Sequence, residues 1–511
     1  MSRVSLLPEE VLKHVLQYIP LKERLTTCCL VNKGFHAAAV AATRKLDLSC
    51  WAFRDNAPAR ADSFLTWLYH YGQQLTHLKM HNFPRPLQQL PCPNLLELVV
   101  SDRCRVQLGP AADGTPGVIQ GCTKLTKLEL RCNIIDAPVG AAVDDSLSQL
   151  LQLEHLLVVP ALTSYSGYYV GGLHSSTLPG MQHLTRLEVC SLSVDNLAQL
   201  GGLTKLQELQ LRADNSVAVG PGSVPRLALP ASLTRLELCS PVEAGLLSLV
   251  PAGLKDFTLR TFVHGAADCT LVLSAMARLQ HLTQLVLSQV GDLNWPPAGP
   301  AYPALTASSN LVELSAFFRK ELPSGIWQHV FPANCRLPHL TRLALYVPES
   351  DGAEPVLSGA WGTPDVASFV RCCPNVVEIR SLFLQHGPEV SSQLQQLTSL
   401  AALEVHYVPS GVSLLHRSLK GLAAVTQLEH LRISADIFSH EVVSAAIVLP
   451  LTSLTKLTSL SYVCWSVTPD NNSADDPPEL EDDIFQVRPH GYPSLLTGHM
   501  RDDDSRSLAA V

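Results

Sequence analysis

Along most of the chain the apolar residues follow a fixed template. From Leu125 to Ile135, LTKLELRCNII, apolar side chains stand at Leu125, Leu128, Leu130 and Ile135 with an asparagine at Asn133, the order LxxLxLxxNxL. Its centre, Lys127 to Arg131, alternates with a period of two, which predicts a short strand turning Leu128 and Leu130 inward and Lys127, Glu129 and Arg131 to water. One such strand has nothing to bury its leucines against, so the pattern has to recur.

It recurs at Leu75, Leu95, Leu153, Leu184, Leu206, Leu233, Leu254, Leu282, Leu311, Leu340, Val376, Leu400, Leu428 and Leu457. That makes about fifteen copies at intervals of roughly 20 to 36 residues, the signature of leucine-rich repeats. An ordinary leucine-rich core has no need of a common register. The predicted fold class is therefore α/β: a leucine-rich-repeat solenoid over residues 46–465, a horseshoe with parallel strands on its concave face. Fifteen strands about 4.8 Å apart predict a concave arc on the order of 70 Å, room for a protein partner.

Ahead of the repeats, residues 1–45 read as three short helices. Pro8 suits a first helical position, Glu9 and Glu10 suit the positive end of the dipole, and Val11, Leu12, Val15, Leu16 and Ile19 follow at helical spacing until Pro20. A second piece carries Leu21, Leu25, Cys28 and Cys29. Asn32 is placed to cap a third that carries Phe35, Ala38, Ala39 and Ala42. Arg44 to Ser49 predicts a degenerate strand joining this module to the repeats rigidly, because no glycine-serine linker intervenes. A bundle so small leaves apolar surface uncovered unless a partner covers it.

The stretch LLPEEVLKHVLQYIPLKERLTTCCLVNKGF, Leu6 to Phe35, resembles the F-box, whose pattern is LPxE, an apolar helix, a leucine-rich second helix, then Val, a polar pair and an aromatic residue. Phe35 stands where many members carry tryptophan, and Val15-Leu16 where isoleucine-phenylalanine is usual. The resemblance implies a three-helix F-box module that docks a Skp-type adaptor, and through it a cullin, by way of Leu7, Pro8, Val11, Leu12, Val15, Leu16, Leu30, Val31 and Phe35. F-box proteins with leucine-rich repeats resemble one another as non-catalytic substrate receptors of SCF-type E3 ubiquitin ligases. The alternative is a repeat scaffold or inhibitor outside any ligase, its N-terminus a helical cap.

The 511 residues carry a formal net charge of -8, which argues against nucleic acid as the main partner, since such binding draws on phosphate neutralisation. The opening reaches two glutamates before any apolar run, and no stretch of about 18 uninterrupted apolar residues follows, so neither secretion nor a membrane span is predicted. Fourteen cysteines without a CxxC pair spell neither a zinc site nor a disulfide framework. The expectation is a cytoplasmic or nuclear protein with reduced thiols, without metal or cofactor.

Side chains flanking the inward leucines line the concave face. Between Leu125 and Arg260 acids and bases alternate, as in Lys127, Glu129 and Arg131 or Arg186 and Glu188, which predicts lateral pairing on a solvated sheet. Further on, Phe317, Arg342, Tyr346, Arg380, His406 and Arg432 combine aromatic residues with arginine, the composition interface centres favour, and are the expected target-binding set. Three insertions are the other candidate surface: 161–180 with Tyr165, Tyr168 and Tyr169; 291–309 with Trp295 and Tyr302; and 347–372 with Trp361. They are expected to be either functional or disordered. Residues 466–511, acidic and proline-containing, are expected to be disordered, with a capping turn near Ile484 and Phe485 left open.

No phosphate loop, nucleophile elbow or dinucleotide fingerprint is spelled. His440-Glu441 begins an HExxH in which Ser444 replaces the second ligand. His183, His281 and His339 fall in non-adjacent repeats and read as turn residues. Cys190 and Cys239 lack the partners of a nucleophile. An enzyme with its site in one of the insertions is the remaining class.

Overall fold

The computed structural model describes residues 8–19, 23, 30–31, 33–48, 57–108, 116–135, 147–159, 178–189, 199–212, 229–239, 247–260, 266–290, 302–318, 325–346, 360–384, 387–407, 412–436, 449–465, 483–487 and 497–498. The chain divides into two compact units, Met1–Ser240 and Pro241–Val511.

In the first unit, helices α1 (Glu9–Leu16) and α2 (Lys33–Ala41) precede β1 (Lys45–Asp47), and α3 (Ala57–Tyr71) leads to β2 (His77–His81). There follow β3 (Pro86–Leu87), β4 (Glu97–Gln107), β5 (Lys127–Ile135), β6 (His155–Val158), β7 (Arg186–Val189), β8 (Glu208–Leu211) and β9 (Arg235–Leu238). Every repeat strand is parallel to the next in sequence order, from β1 beside β2 and β2 beside β4 through to β8 beside β9; the short β3 flanks β4.

In the second unit the parallel succession is β10 (Asp256–Leu259), β11 (Gln284–Val290), β12 (Glu313–Phe318), β13 (Arg342–Tyr346), β14 (Glu378–Leu384), β15 (Ala402–Tyr407), β16 (His430–Asp436) and β17 (Ser459–Trp465). Its connecting segments carry α4 (Ala266–Arg278), α5 (Ile326–Val330), α6 (Thr363–Cys372), α7 (Pro388–Gln393) and α8 (Val412–Leu422).

Each of the fifteen template positions stands two residues ahead of a strand, from Leu75 before His77 to Leu457 before Ser459. Most of these strands then bury their second and fourth side chains. Leu125, Leu128 and Leu130 are fully buried, as are Leu75, Leu78 and Met80 two coils earlier. Each such side chain contributes about 1.5–3 kcal/mol on burial, but only because the neighbouring coil supplies the other wall.

The recurring LTxL carries a second message. In Thr76, Thr126, Thr185, Thr234, Thr283, Thr341 and Thr458 the hydroxyl donates to a carbonyl of the preceding coil, at 2.9 to 3.3 Å, and the backbone N–H of the same threonine donates to the same carbonyl. The threonine therefore locks the coil to its neighbour just before the strand begins. Where α8 passes α7, a Cβ on Gly421 would lie 2.5 Å from the carbonyl oxygen of Pro388, so only glycine allows that approach.

The junction between helices and repeats is short and closed by hydrogen bonds. The chain leaves α2, buries Thr43 with its hydroxyl on Ala39 O (2.8 Å), and enters β1 at once. The Arg44 carbonyl accepts from Thr76 N, His77 N and the Thr76 hydroxyl.

Three expectations need correction. The described parts of two insertions are core rather than interaction surface. Tyr302 is buried, and Trp361 stacks on Trp327 at 4.7 Å within a cluster that includes Phe331 and Phe369. Long coils need aromatic bulk on the side away from the strands, and these insertions supply it. Tyr165, Tyr168, Tyr169 and Trp295 lie outside the described residues. Disorder does not extend over all of 466–511, because β18 (Asp483–Val487), which holds Ile484 and Phe485, pairs antiparallel with β17 and β19 (Thr497–Gly498) pairs with β18. Lastly, α1 ends at Leu16 and Pro8 sits just before it as the cap, its carbonyl accepting from Leu12 N. Most of residues 20–29, where the second helix was predicted, lie outside the described residues.

Candidate protein-interaction surfaces

Helix α1 sorts its apolar residues onto two faces. Leu12 and Leu16 pack with Ala38 and Ala39 of α2, and Ile19, Phe35 and Ala42 close the edges of that small core. The other face is open to solvent among the described residues: Val11 is 44% exposed, Val15 51%, Tyr18 75%, and beyond the helix Leu30 is 83% and Val31 57% exposed. Tyr18 meets His14 edge to face at 5.4 Å, and Gln17 bonds His14 at 2.8 Å. Of the residues singled out from sequence, Pro8, Val11, Val15, Leu30 and Val31 are thus presented to solvent. Leu12, Leu16 and Phe35 shape the module from within, and Leu7 lies outside the described residues. His14 and Tyr18 were missed, although Tyr18 follows Val11 by seven residues and Val15 by three, the spacing of one helix face.

The strand faces are laced with ion pairs. In the first unit Lys127 bridges Glu97 (3.1 Å) and Glu129 (2.9 Å), Arg186 reaches Glu208 (3.4 Å), and Arg212 reaches the buried Glu188 (3.0 Å). Burial raises the Glu97 pKa, but the Lys127 hydrogen bond and the charges of Lys127, Lys79 and His77 outweigh it and hold the carboxyl below its usual range. His77 and His155 are both held below the usual imidazole range, chiefly by burial.

In the second unit the predicted target-binding arginines turn out to be paired in the same way. Arg342 binds Glu313 (2.9 Å), Arg380 binds Glu378 (2.5 Å) and Arg432 binds Glu404 (3.4 Å). His406 lies 3.8 Å from the same Glu404, yet burial first and Arg432 second push its pKa down to about 4. Phe317 and Tyr346 face each other across β12 and β13 in backbone register. Exposed pairs of this kind are worth about 1 kcal/mol or less each, so a partner can break them at small cost.

A model of the F-box domain matches residues 4–40, the stretch that holds α1, α2 and their exposed valines. The F-box match thus covers the opening helices alone, ahead of parallel strands that follow the leucine-rich template. Among solved structures, an internalin (InlF) of Listeria monocytogenes is similar at 14% identity, covering 79% of this chain and 95% of that one with a TM-score of 0.39. The functional domain of InlJ from Listeria monocytogenes is similar at 13% identity, covering 77% and 74%, with a TM-score of 0.33. No curated protein matches the sequence.

Outside the F-box, the groups that resemble catalytic machinery are arranged for other work. Ser101 lies against Nδ1 of His81 and Asp102 Oδ2 is 3.3 Å from that same nitrogen. The Ser101 hydroxyl donates to Asp102 (3.1 Å), so its one proton is directed at the carboxylate and not at the imidazole that would have to take it from a nucleophile. Burial, with Glu237 beside it, pushes the Cys239 thiol up to about 11, and burial pushes Cys92 up to about 12, so neither is a thiolate near neutral pH. Cys190 and His440 fall outside the described residues. His183, His281 and His339 are exposed in turns between coils. Among the described residues no cluster of three potential metal ligands occurs, and no helix is long and apolar enough to cross a membrane.

Proposed function

We propose that this chain is the substrate-recognition subunit of an SCF-type E3 ubiquitin ligase, acting in the cytoplasm or nucleus. The F-box docks a Skp-type adaptor, and through it a cullin, while the repeats hold a target protein. One observation carries the reading: the residues matched by the F-box model present Val11, Val15, Tyr18, Leu30 and Val31 to solvent, on a module whose own core is only a few side chains deep. An N-terminal cap has no use for that surface, because a cap turns its apolar face inward.

F-box proteins with leucine-rich repeats are generally non-catalytic, and on this reading the chain works by proximity, raising the effective concentration of a target lysine near the ubiquitin-loaded enzyme. The short, hydrogen-bonded junction at Thr43 and Arg44 supports that role, since it fixes the adaptor relative to the first coils. Phe317, Arg342, Tyr346, Arg380, His406 and Arg432 are the residues assigned to the target on the second unit. Co-purification with a Skp-type adaptor, lost in the Leu7→Ala, Pro8→Ala double variant, is the expected result. Absence of adaptor binding at micromolar concentration contradicts it and favours a scaffold outside the ligase.

A further inference from the structure

Two hollows in the first unit share one wall. The larger, about 800 Å³, lies between α1, α2 and the first coils, with Arg44, Thr76 and Leu96 among its lining. The smaller, about 410 Å³, runs along the leading ends of the strands from His77 to Glu208. Leu96 lines both and, at 37% exposed, is among the large apolar side chains of this unit left open to water. The two hollows adjoin at Leu96, and together they form a trough-like path from beside the F-box across to β8.

Its charge is graded. At the F-box end Lys13 is tied to Glu10 (3.0 Å), and the exposed Arg44 and Lys124 remain, the latter bonded to the neutral side chain of Asn94 (2.7 Å). At the far end Lys127 and Arg186 face Glu97, Glu154 and Glu208, three acids against two bases, with Glu154 exposed. The six strand steps from β1 to β8 span about 29 Å, the length of about nine extended residues. The strand backbones are spent on one another, so an occupant is read by side chains alone.

We infer that this trough receives an extended segment of the target protein, with acidic residues toward the F-box, an apolar residue on Leu96 and a basic residue toward β8. The inference rests on the receptor reading above and places a second point of target contact on the first unit. It does not compete with the adaptor. Lys13 leaves α1 about 160° around the helix from both Val11 and Val15, and Glu10 about 100° from Val11 and about 140° from Val15, at about 100° per residue.

The test uses the full chain and two fluorescein-labelled dodecapeptides of identical composition: one with three glutamates at one end, leucines in the middle and three lysines at the other, and one scrambled. By fluorescence anisotropy at low salt the graded peptide is expected to bind at least tenfold tighter than the scrambled one. That preference should disappear in Leu96→Asp and in the Arg44→Glu, Lys124→Glu double variant, and survive in Leu151→Asp, a substitution at an exposed leucine outside the trough. Equal binding of the two peptides, or undiminished preference in the trough variants, overturns the inference. Adaptor capture measured on the same preparations separates the two ideas: lost capture with a retained peptide preference sinks the receptor reading alone, and the converse sinks the trough alone.

Discussion

Replacing Val11 and Val15 by lysine separates docking from folding. The two side chains are 44% and 51% exposed, and lysine has the higher helix propensity, so the module's own stability should change by no more than about 0.5 kcal/mol. In the complex each valine loses the half of its burial that docking supplies, about 1 kcal/mol apiece. Two ammonium groups are then pressed against an apolar partner, which adds several kcal/mol. A loss of at least about 4 kcal/mol, roughly a thousandfold, is expected in a calorimetric titration against a purified Skp-type adaptor. Circular dichroism and urea unfolding should meanwhile match the wild type. Leu12→Ala is the counterpart: it opens the core shared with Ala38 and Ala39, and about 2–5 kcal/mol should come off the stability of the module before any interface is involved. If the double lysine variant binds the adaptor within threefold of the wild type, the exposed face of α1 is not the docking face.

Other outcomes are as specific. Thr126→Val removes the hydroxyl bond to Leu96 O, and about 1 kcal/mol should be lost by urea unfolding, with Thr126→Ser restoring most of it; an unchanged midpoint in the valine variant removes the threonine lock. Gly421→Ala forces α8 away from Pro388, so a drop of about 2 kcal/mol or more is expected, and a neutral result means the helices part freely. The His406 imidazole titrates near 6.5 when unfolded and near 4 when folded, so between those values the unfolded chain binds more protons. Stability is then complete above about pH 6.5 and falls by up to about 3 kcal/mol as the pH drops toward 4, a slope that His406→Gln should flatten; identical pH profiles for the two proteins exclude this origin. Reversing Arg342 and Arg380 to glutamate should abolish target capture in a pull-down while adaptor capture persists, and intact target capture removes them from the site.

The register of the sheet was legible because it is written in side chains with a period of two: two residues past each template leucine a strand begins, without exception among the fifteen. The F-box was legible from Leu6 to Phe35 for a similar reason, since its helices must face both a core and a partner. What escaped was that the lateral pairing expected between Leu125 and Arg260 continues through the second unit. Glu313 and Arg342 both occupy the first position of their strands, so laying the coils side by side pairs them, whereas reading along one coil shows only an exposed arginine. Trp361 and Tyr302 read as interaction residues because the segments away from the strands have no fixed period to mark what is buried. The strand at 483–487 was hidden by the acids and prolines before it, which lower the average hydropathy around Ile484 and Phe485.

The claim on which the rest depends is that the opening helices are an adaptor's seat. Size-exclusion chromatography with light scattering, on the purified full chain mixed with a purified Skp-type adaptor at micromolar concentration, tests it most directly. A stable one-to-one complex, worth about 8 kcal/mol or more, is the predicted result. Two separate peaks at the masses of the free proteins contradict it.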